Sequence, residues 1–412
     1  MRILILAQEI SLDQPGGSGR VAWEQARALA ARGHTVAIGV PHSRVALKDE
    51  ERRDNVTIFR FGDYKRRAEW GRSIADIMET PRFIKQMLAG ARWDVLIAHH
   101  PHVAYGALRV HMARRLPFIY IFHASAAAEI QYEGLSRPGL WPLAALFLKP
   151  SFVSFTRWIE KRVLRHARAV GVFSDFSGKL LRTLYPRITR KTTIVRVPMG
   201  IDTARFHLPA SKRAVRRTLG LPEDALVAVT VRRLVPRTGV KILIDAWRAL
   251  YDRVGAAAHL VIVGEGRERQ ELEKHVRAIG LETQVHFAGH VRDTELPAWY
   301  QAADVTVIPT VAYEGFGVSI IESMACGTPV IGTPVGAIPE ILLAFDERLL
   351  ADAARPLPLA ERLVWFAEEG MREEWAEQAR DFVKRWYSWE KHAEKIEETE
   401  ELIQKHENSA GQ

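Results

Sequence analysis

Residues 305–332 contain Val305-Thr306-Val307-Ile308-Pro309, then Tyr313-Glu314-Gly315-Phe316-Gly317, then Val318-Ser319-Ile320-Ile321-Glu322-Ser323-Met324-Ala325, then Pro329-Val330-Ile331-Gly332. The first block reads as a buried strand, the second as a glycine-bearing loop, the third as a helix from about Gly317, and the last as another strand. Near-continuous apolar strands separated by helices imply a parallel sheet covered on both faces. Upstream, Leu226–Val231, His259–Val263 and Val285–Ala288 read as strands, with helices over Val240–Tyr251 and Arg267–Ile279. The same rhythm occupies the first 200 residues, with strands at Arg2–Ala7, Thr35–Val40, Trp93–Ala98, Phe118–Phe122 and Ala169–Phe173. There Pro15-Gly16-Gly17-Ser18-Gly19 makes a glycine-rich turn before a helix over about Arg20–Arg32, which Gly33 ends. The rhythm restarts after Val197-Pro198-Met199-Gly200. The expectation is an α/β protein of two Rossmann-like domains, 1–200 and 201–385, with a ligand cleft between the carboxyl ends of their sheets.

Composition narrows the classes. Over 412 residues, 47% are hydrophobic and 26% charged, which excludes disordered and fibrous chains. One cysteine, Cys326, excludes a disulfide scaffold and fits a reducing compartment. The apolar run Ile3 to Ala7 is broken by Glu9 and Asp13, so it reads as a first strand and not a leader. No stretch approaches the roughly 20 apolar residues of a bilayer span. The expected location is cytoplasmic. Charge is uneven: residues 1–200 hold 32 Lys and Arg against 16 Asp and Glu, a net +16, and the remainder is −7. An anionic partner for the first half and a merely solvated basic surface both fit that asymmetry.

The loop before Val318 is the best candidate site. Free N–H groups and the positive dipole end at a helix start suit a phosphate or diphosphate. Gly315 and Gly317 let a ligand approach the backbone closely. Glu314 and Glu322 are eight residues apart, so both face one cleft if the helix starts there. One carboxylate would then sit near a reacting sugar carbon and the other would accept bonds from a ribose. From spacing alone, a charged helix start plus a surface glutamate remains the alternative. Other chemistries weaken: Gly264-Glu265-Gly266 has Arg269 where a dinucleotide fingerprint needs its third glycine, and there is no Asp-x-Asp triplet. His99, His100 and His102 surround Pro101 and cannot easily all face one ion, so a strand-end loop facing the acceptor is expected there, and no metal. No nucleic-acid recognition motif occurs.

The span Glu314 to Glu322 resembles the E-x7-E motif of retaining GT-B glycosyltransferases, glycosyltransferase family 4 in particular. Ser323-Met324-Ala325-Cys326-Gly327-Thr328-Pro329-Val330-Ile331 is similar to that family's helix–turn–strand segment. Gly16-Gly17-Ser18-Gly19-Arg20 resembles its glycine loop, and Pro198-Met199-Gly200-Ile201-Asp202 with Phe206 its interdomain segment. Arg232-Arg233-Leu234-Val235-Pro236 resembles the phosphate-binding strand end, Val263-Gly264-Glu265-Gly266 the nucleotide-side turn, and Trp386-Tyr387-Ser388-Trp389-Glu390 the C-terminal crossing helix. The likeness covers about 400 residues in order.

The resemblance implies a GT-B fold, with an acceptor-side domain at 1–200, a donor-side domain at 201–385 and a helix over about 386–405 crossing back to the first. It implies transfer of a sugar from a nucleotide-diphosphate donor to an acceptor hydroxyl on a lipid, glycan or small molecule, with retention and with no metal or cofactor. Glu314, His123 and Arg233 are its implied catalytic residues, with Arg233 neutralising the leaving diphosphate. Glu322 would bind the ribose, Gly17 the diphosphate, and Gly315, Phe316, Gly317, Val318, Val291 and Gly264 the rest of the donor. The family's lysine five positions after the arginine is Thr238 here, and Arg237 ranks above Lys241 as its substitute. Alternatives are an epimerase-like GT-B enzyme, or a non-catalytic sugar-nucleotide sensor, which Thr238 motivates. Two basic, apolar stretches fit a surface-lying contact with an anionic membrane on its inner face. They are Lys65-Arg66-Arg67 leading to Trp70, Ile74, Ile77 and Met78, and Leu140–Leu148 followed by Lys149, Arg157, Lys161, Arg162, Arg165 and Arg168. A core helix with a basic exposed side is the alternative.

Overall fold

Ile3, Leu4, Ile5 and Leu6 have no exposed surface, and the strand they form is paired along both edges. That burial is what a run of consecutive apolar residues requires, and it organises the first of two compact units, Met1–Gly200 with Trp389–Gln412; the second is Ile201–Ser388. The computed structural model describes residues 1–10, 12, 17–42, 47–62, 69–133, 142–369 and 373–410. Pro15-Gly16, Lys65-Arg66-Arg67 and Leu140-Trp141 lie outside the described residues.

The described residues of the first unit form eight strands: β1 (Arg2–Leu6), β2 (Thr35–Pro41), β3 (Glu50–Arg53), β4 (Val56–Phe61), β5 (Val95–Ala98), β6 (Phe118–Phe122), β7 (Ala169–Val172) and β8 (Thr193–Arg196). Their order is β3-β4-β2-β1-β5-β6-β7-β8, and only β3–β4 is antiparallel. The chain moves outward from β1 to β2 and later returns to β1's other side with β5, so the topological switch point lies between β1 and β5. Strands β3, β4 and β8 add to those expected from the sequence. Strand β3 is Glu-Glu-Arg-Arg, held at the edge by its register with β4, and buried Arg60 bonds Glu51 at 3.0 Å. Helix α1 (Gly17–Ala31) takes in Gly17-Ser18-Gly19, expected as part of a turn, and so starts three residues earlier than its apolar spacing suggests. The C-terminal helix (Trp389–Ala410) packs on α1, where Arg32 and His34 both bond Glu397, at 2.8 and 2.7 Å. Gly200 permits this packing, since a Cβ there would lie 2.3 Å from the Trp389 ring. Helix α2 (Pro142–His166) covers the same sheet through Ile159, Val163 and Leu164.

The described residues of the second unit form a five-stranded parallel sheet of β9 (Leu226–Val231), β10 (Ala258–Val263), β11 (Val285–Gly289), β12 (Val305–Ile308) and β13 (Val330–Gly332). Its order, β11-β10-β9-β12-β13, places the switch point between β9 and β12. Helices carrying Trp247 and Phe366 close one core, with Trp375 stacked on Phe366. Helix α3 (Val318–Ala325) follows the loop after β12.

Candidate active site

At the second unit's switch point, the chain leaving β9 carries Arg232 and the chain leaving β12 carries Thr310 and Glu314. Ligands of open α/β sheets gather at such crevices, because the two connecting loops diverge there. Arg232 Nη2 donates to Glu314 Oε2 at 2.6 Å and to Thr310 Oγ1 at 2.7 Å, and the Thr310 hydroxyl donates to the same carboxylate oxygen at 3.2 Å. The two charged side chains are 7% and 13% exposed. Burial pushes the Glu314 carboxyl upward, but the charge and hydrogen bond of Arg232, aided by Arg237 and Thr310, outweigh it and hold the group below its ordinary range.

The loop presenting Glu314 is shaped by backbone geometry. Tyr313 sits at φ 55°, a left-handed conformation that costs a side-chain-bearing residue about 1–2 kcal/mol. Arg237 Nη1 donates to the Tyr313 carbonyl at 3.2 Å, and Ala337 N donates to the Glu314 carbonyl at 2.9 Å. Gly336, at φ 65°, brings its backbone so near that a Cβ would lie 2.1 Å from the Glu314 carbonyl oxygen. Gly264 packs as closely beneath Arg232, where a Cβ would lie 1.9 Å from the Arg232 oxygen.

The placements revise several expectations. Helix α3 begins at Val318 with Gly317 as its cap at φ 93°, so Glu314 lies in the loop and does not share a helix start with Glu322. Glu322 is inside α3, almost fully buried, and accepts 2.9 Å from the Tyr300 hydroxyl. Phe316 is buried edge-on to Tyr387, Gly315 precedes it, and Val291 stands half-buried beyond β11. Arg233, expected at the leaving diphosphate, is exposed, and its neighbour Arg232, for which no role was expected, is the arginine paired with Glu314. The Thr238 hydroxyl donates to the Arg233 and Val235 carbonyls, both at 2.7 Å, and so closes a turn. Lys241 is turned to Asp245 at 2.9 Å, whereas Arg237 reaches the Glu314 loop.

In the first unit, Gly17 opens α1 and a Cβ there would meet nothing within 4 Å, so its own fold does not demand the missing side chain. His123 follows β6 and bonds His99, which follows β5, at 3.0 Å between Nε2 and Nδ1. His99 and His102 are buried, so the loop expected to face an acceptor turns two of its histidines inward. Among the described residues no group of three or more His, Cys, Asp or Glu could hold a metal ion, and no helix is long and apolar enough to cross a membrane.

Comparisons with known proteins agree with this architecture. The family model for glycosyltransferase family 4 matches residues 15–205, and that for glycosyl transferases group 1 matches residues 211–382. The chain is 32% identical to a D-inositol 3-phosphate glycosyltransferase of Actinosynnema mirum over 246 residues, 58% of each. The chain thus spans little more than half the length of that curated relative. Sucrose-phosphate synthase from Thermosynechococcus elongatus superposes with TM-score 0.78 over 98% of this chain and 99% of its own, at 21% identity. Anabaena HepE, solved with UDP, gives 0.70 over 97% and 99%, at 19%. These likenesses carry the GT-B fold. With one family model on each unit, together accounting for most of its length, this chain belongs to glycosyltransferase family 4.

Proposed function

We propose that the chain is a retaining glycosyltransferase that moves a sugar from a nucleotide-diphosphate donor to an acceptor hydroxyl. The observation that carries this reading is the Arg232–Glu314–Thr310 cluster at the second unit's switch point, beside a glycine-capped helix start. In the reaction the bond from the anomeric carbon to the phosphate oxygen breaks, and the acceptor oxygen bonds that carbon on the same face. The acceptor's proton passes to the departing phosphate. A carboxylate beside a departing diphosphate is repulsive by about 4 kcal/mol at 4 Å and an effective dielectric constant near 20. Arg232 offsets that repulsion, which lets Glu314 stay ionised and accept hydroxyl bonds from the donor sugar. Arg233 and Arg237 supply positive charge for the diphosphate, Glu322 takes the ribose, and Gly17, Gly315, Phe316, Gly317, Val318, Val291 and Gly264 contribute backbone surface. His123 meets the donor sugar.

Positive charge from arginines and a helix terminus does the work a divalent ion does elsewhere, so transfer proceeds without metal or cofactor. A thermal-shift screen of UDP, GDP, ADP and dTDP with their sugars, followed by transfer and donor-hydrolysis assays in excess EDTA, tests this. Stabilisation by one nucleotide and turnover in EDTA are expected; activity that EDTA abolishes and Mg²⁺ or Mn²⁺ restores refutes the arginine clamp.

A membrane-held acceptor is favoured by one observation. Exposed Phe155 and Trp158 stack on α2, with Arg162 over the Trp158 ring at 5.0 Å. Aromatic rings beside exposed arginines suit the boundary of an anionic bilayer. Co-sedimentation with acidic but not neutral vesicles, weakening as salt rises, is the expected result.

A further inference from the structure

Four hydrogen bonds run in series through the interior of the first unit. His392 Nδ1, on the C-terminal helix, lies 2.8 Å from the Pro198 carbonyl oxygen. His392 Nε2 lies 2.8 Å from Gln25 Nε2, on α1. Gln25 Oε1 lies 2.6 Å from His99 Nε2, and His99 Nδ1 lies 3.0 Å from His123 Nε2. Gln25, His99 and His392 are buried.

One end of this series is unambiguous, because a carbonyl oxygen can only accept. His392 must therefore carry its proton on Nδ1, which leaves Nε2 bare in the neutral ring, and that atom accepts from the Gln25 amide. The Gln25 oxygen then accepts from His99 Nε2–H. His99 Nδ1 is bare and accepts from His123 Nε2–H. Turning the Gln25 amide over would require protons on both His392 nitrogens, an imidazolium with no exposed surface, which burial disfavours strongly.

We propose that Gln25, His99 and His392 are positioning residues that lock His123 as its Nε2–H tautomer and leave Nδ1 as the ring's acceptor for a hydroxyl of the donor sugar. The hydroxyl part rests on the reading of His123 as a donor-sugar residue; the lock itself does not. Burial supports neutrality throughout. It lowers His123 and His392 to about 4, and holds His99 well below the ordinary value. Among the described residues, the titratable side chains facing His123 are His99 and His100 from the β5 end and His392 from the C-terminal helix. Phe173, beyond β7, sets its ring edge-on to His123 at 5.1 Å. The substrate this arrangement selects is a sugar carrying a free hydroxyl at the position that meets Nδ1.

The test is a long-range ¹H–¹⁵N correlation spectrum of the full chain labelled at histidine nitrogens, at about pH 6.5, the ordinary histidine midpoint. Neutral Nε2–H forms of His99 and His123, with His392 as Nδ1–H, are expected. A charged ring, or an Nδ1–H form of His99 or His123, overturns the proposal. Gln25→Met removes the acceptor for His99 Nε2–H, so His99 should reverse and donate from Nδ1, turning His123 into its Nδ1–H form. The specificity constant for the nucleotide sugar should then fall about tenfold, the worth of one hydrogen bond, while the nucleoside diphosphate alone binds unchanged. A switched tautomer with wild-type kcat/KM overturns the hydroxyl-acceptor role. The wild-type spectrum requires neither a variant nor turnover, so it decides the lock even if Gln25→Met fails to fold or the chain transfers no sugar.

Discussion

Replacing Arg232 with Met removes the charged partner of Glu314 while keeping an unbranched side chain of similar reach. Breaking a buried pair from one side costs about 3–5 kcal/mol, because the remaining charge is left unpaired. The residual exposures of 7% and 13% place this pair at the low end, at about 3 kcal/mol. For a unit of this size each kcal/mol moves the midpoint by roughly 2–4 °C, so Tm should fall by roughly 6–12 °C near neutral pH. The pH dependence gives the sharper signature. Glu314 is held below its ordinary value in the folded chain, so its ionised form adds stability above the unfolded pKa, near 4.3, and that contribution is lost as pH falls through the folded value. In the Met variant, burial is opposed only by Arg237 and Thr310, so the carboxyl rises and costs stability at neutral pH, a cost that acidification relieves. The Tm gap between the two proteins, followed by differential scanning calorimetry, should be widest near pH 7 and narrow toward pH 4. Adding Glu314→Gln to the variant should recover most of the loss, since no carboxylate then remains to be stranded. A drop smaller than about 2 °C, or a gap that ignores pH, would show that this ion pair is no more than a surface contact.

Glu322→Ala should weaken nucleotide binding roughly ten- to a hundredfold in calorimetric titrations, the worth of a charge-assisted hydrogen bond, and lower Tm by stranding the buried Tyr300 hydroxyl. Glu314→Gln should chiefly lower kcat, with nucleotide affinity nearly unchanged; normal turnover would remove Glu314 from the donor-sugar site. Gly336→Ala forces a Cβ to within 2.1 Å of the Glu314 carbonyl at φ 65°, so the loop must shift; kcat should fall more than nucleotide affinity. Unaltered kinetics in that variant would mean the loop conformation is not what aims Glu314. Lys241→Ala should leave nucleotide affinity intact, whereas Arg237→Ala should lower it, because Arg237 bonds the Tyr313 carbonyl of the Glu314 loop and Lys241 is turned to Asp245.

Much of this protein is written locally. The strands Phe118–Phe122 and Leu226–Val231 are found at the limits their composition suggests, because apolar runs and helical spacing act over a few residues. Strand β3 is not legible that way: Glu-Glu-Arg-Arg has no strand pattern, and only its register with β4 makes it one. The glutamate motif and glycine loop were likewise visible in order along the chain. Which arginine serves Glu314 was not. Arg232 and Arg233 are adjacent, and on an extended backbone successive side chains point to opposite sides. Their choice depends on β12 lying beside β9, a pairing across more than 70 residues that no local pattern encodes. The histidine series makes the same point at greater distance. Gln25, His99, His123 and His392 come from four elements, and each alone reads as an ordinary polar residue. Burial decides their role, since polar groups withdrawn from water must find one another, and only the folded sheet and the returning C-terminal helix determine which ones can.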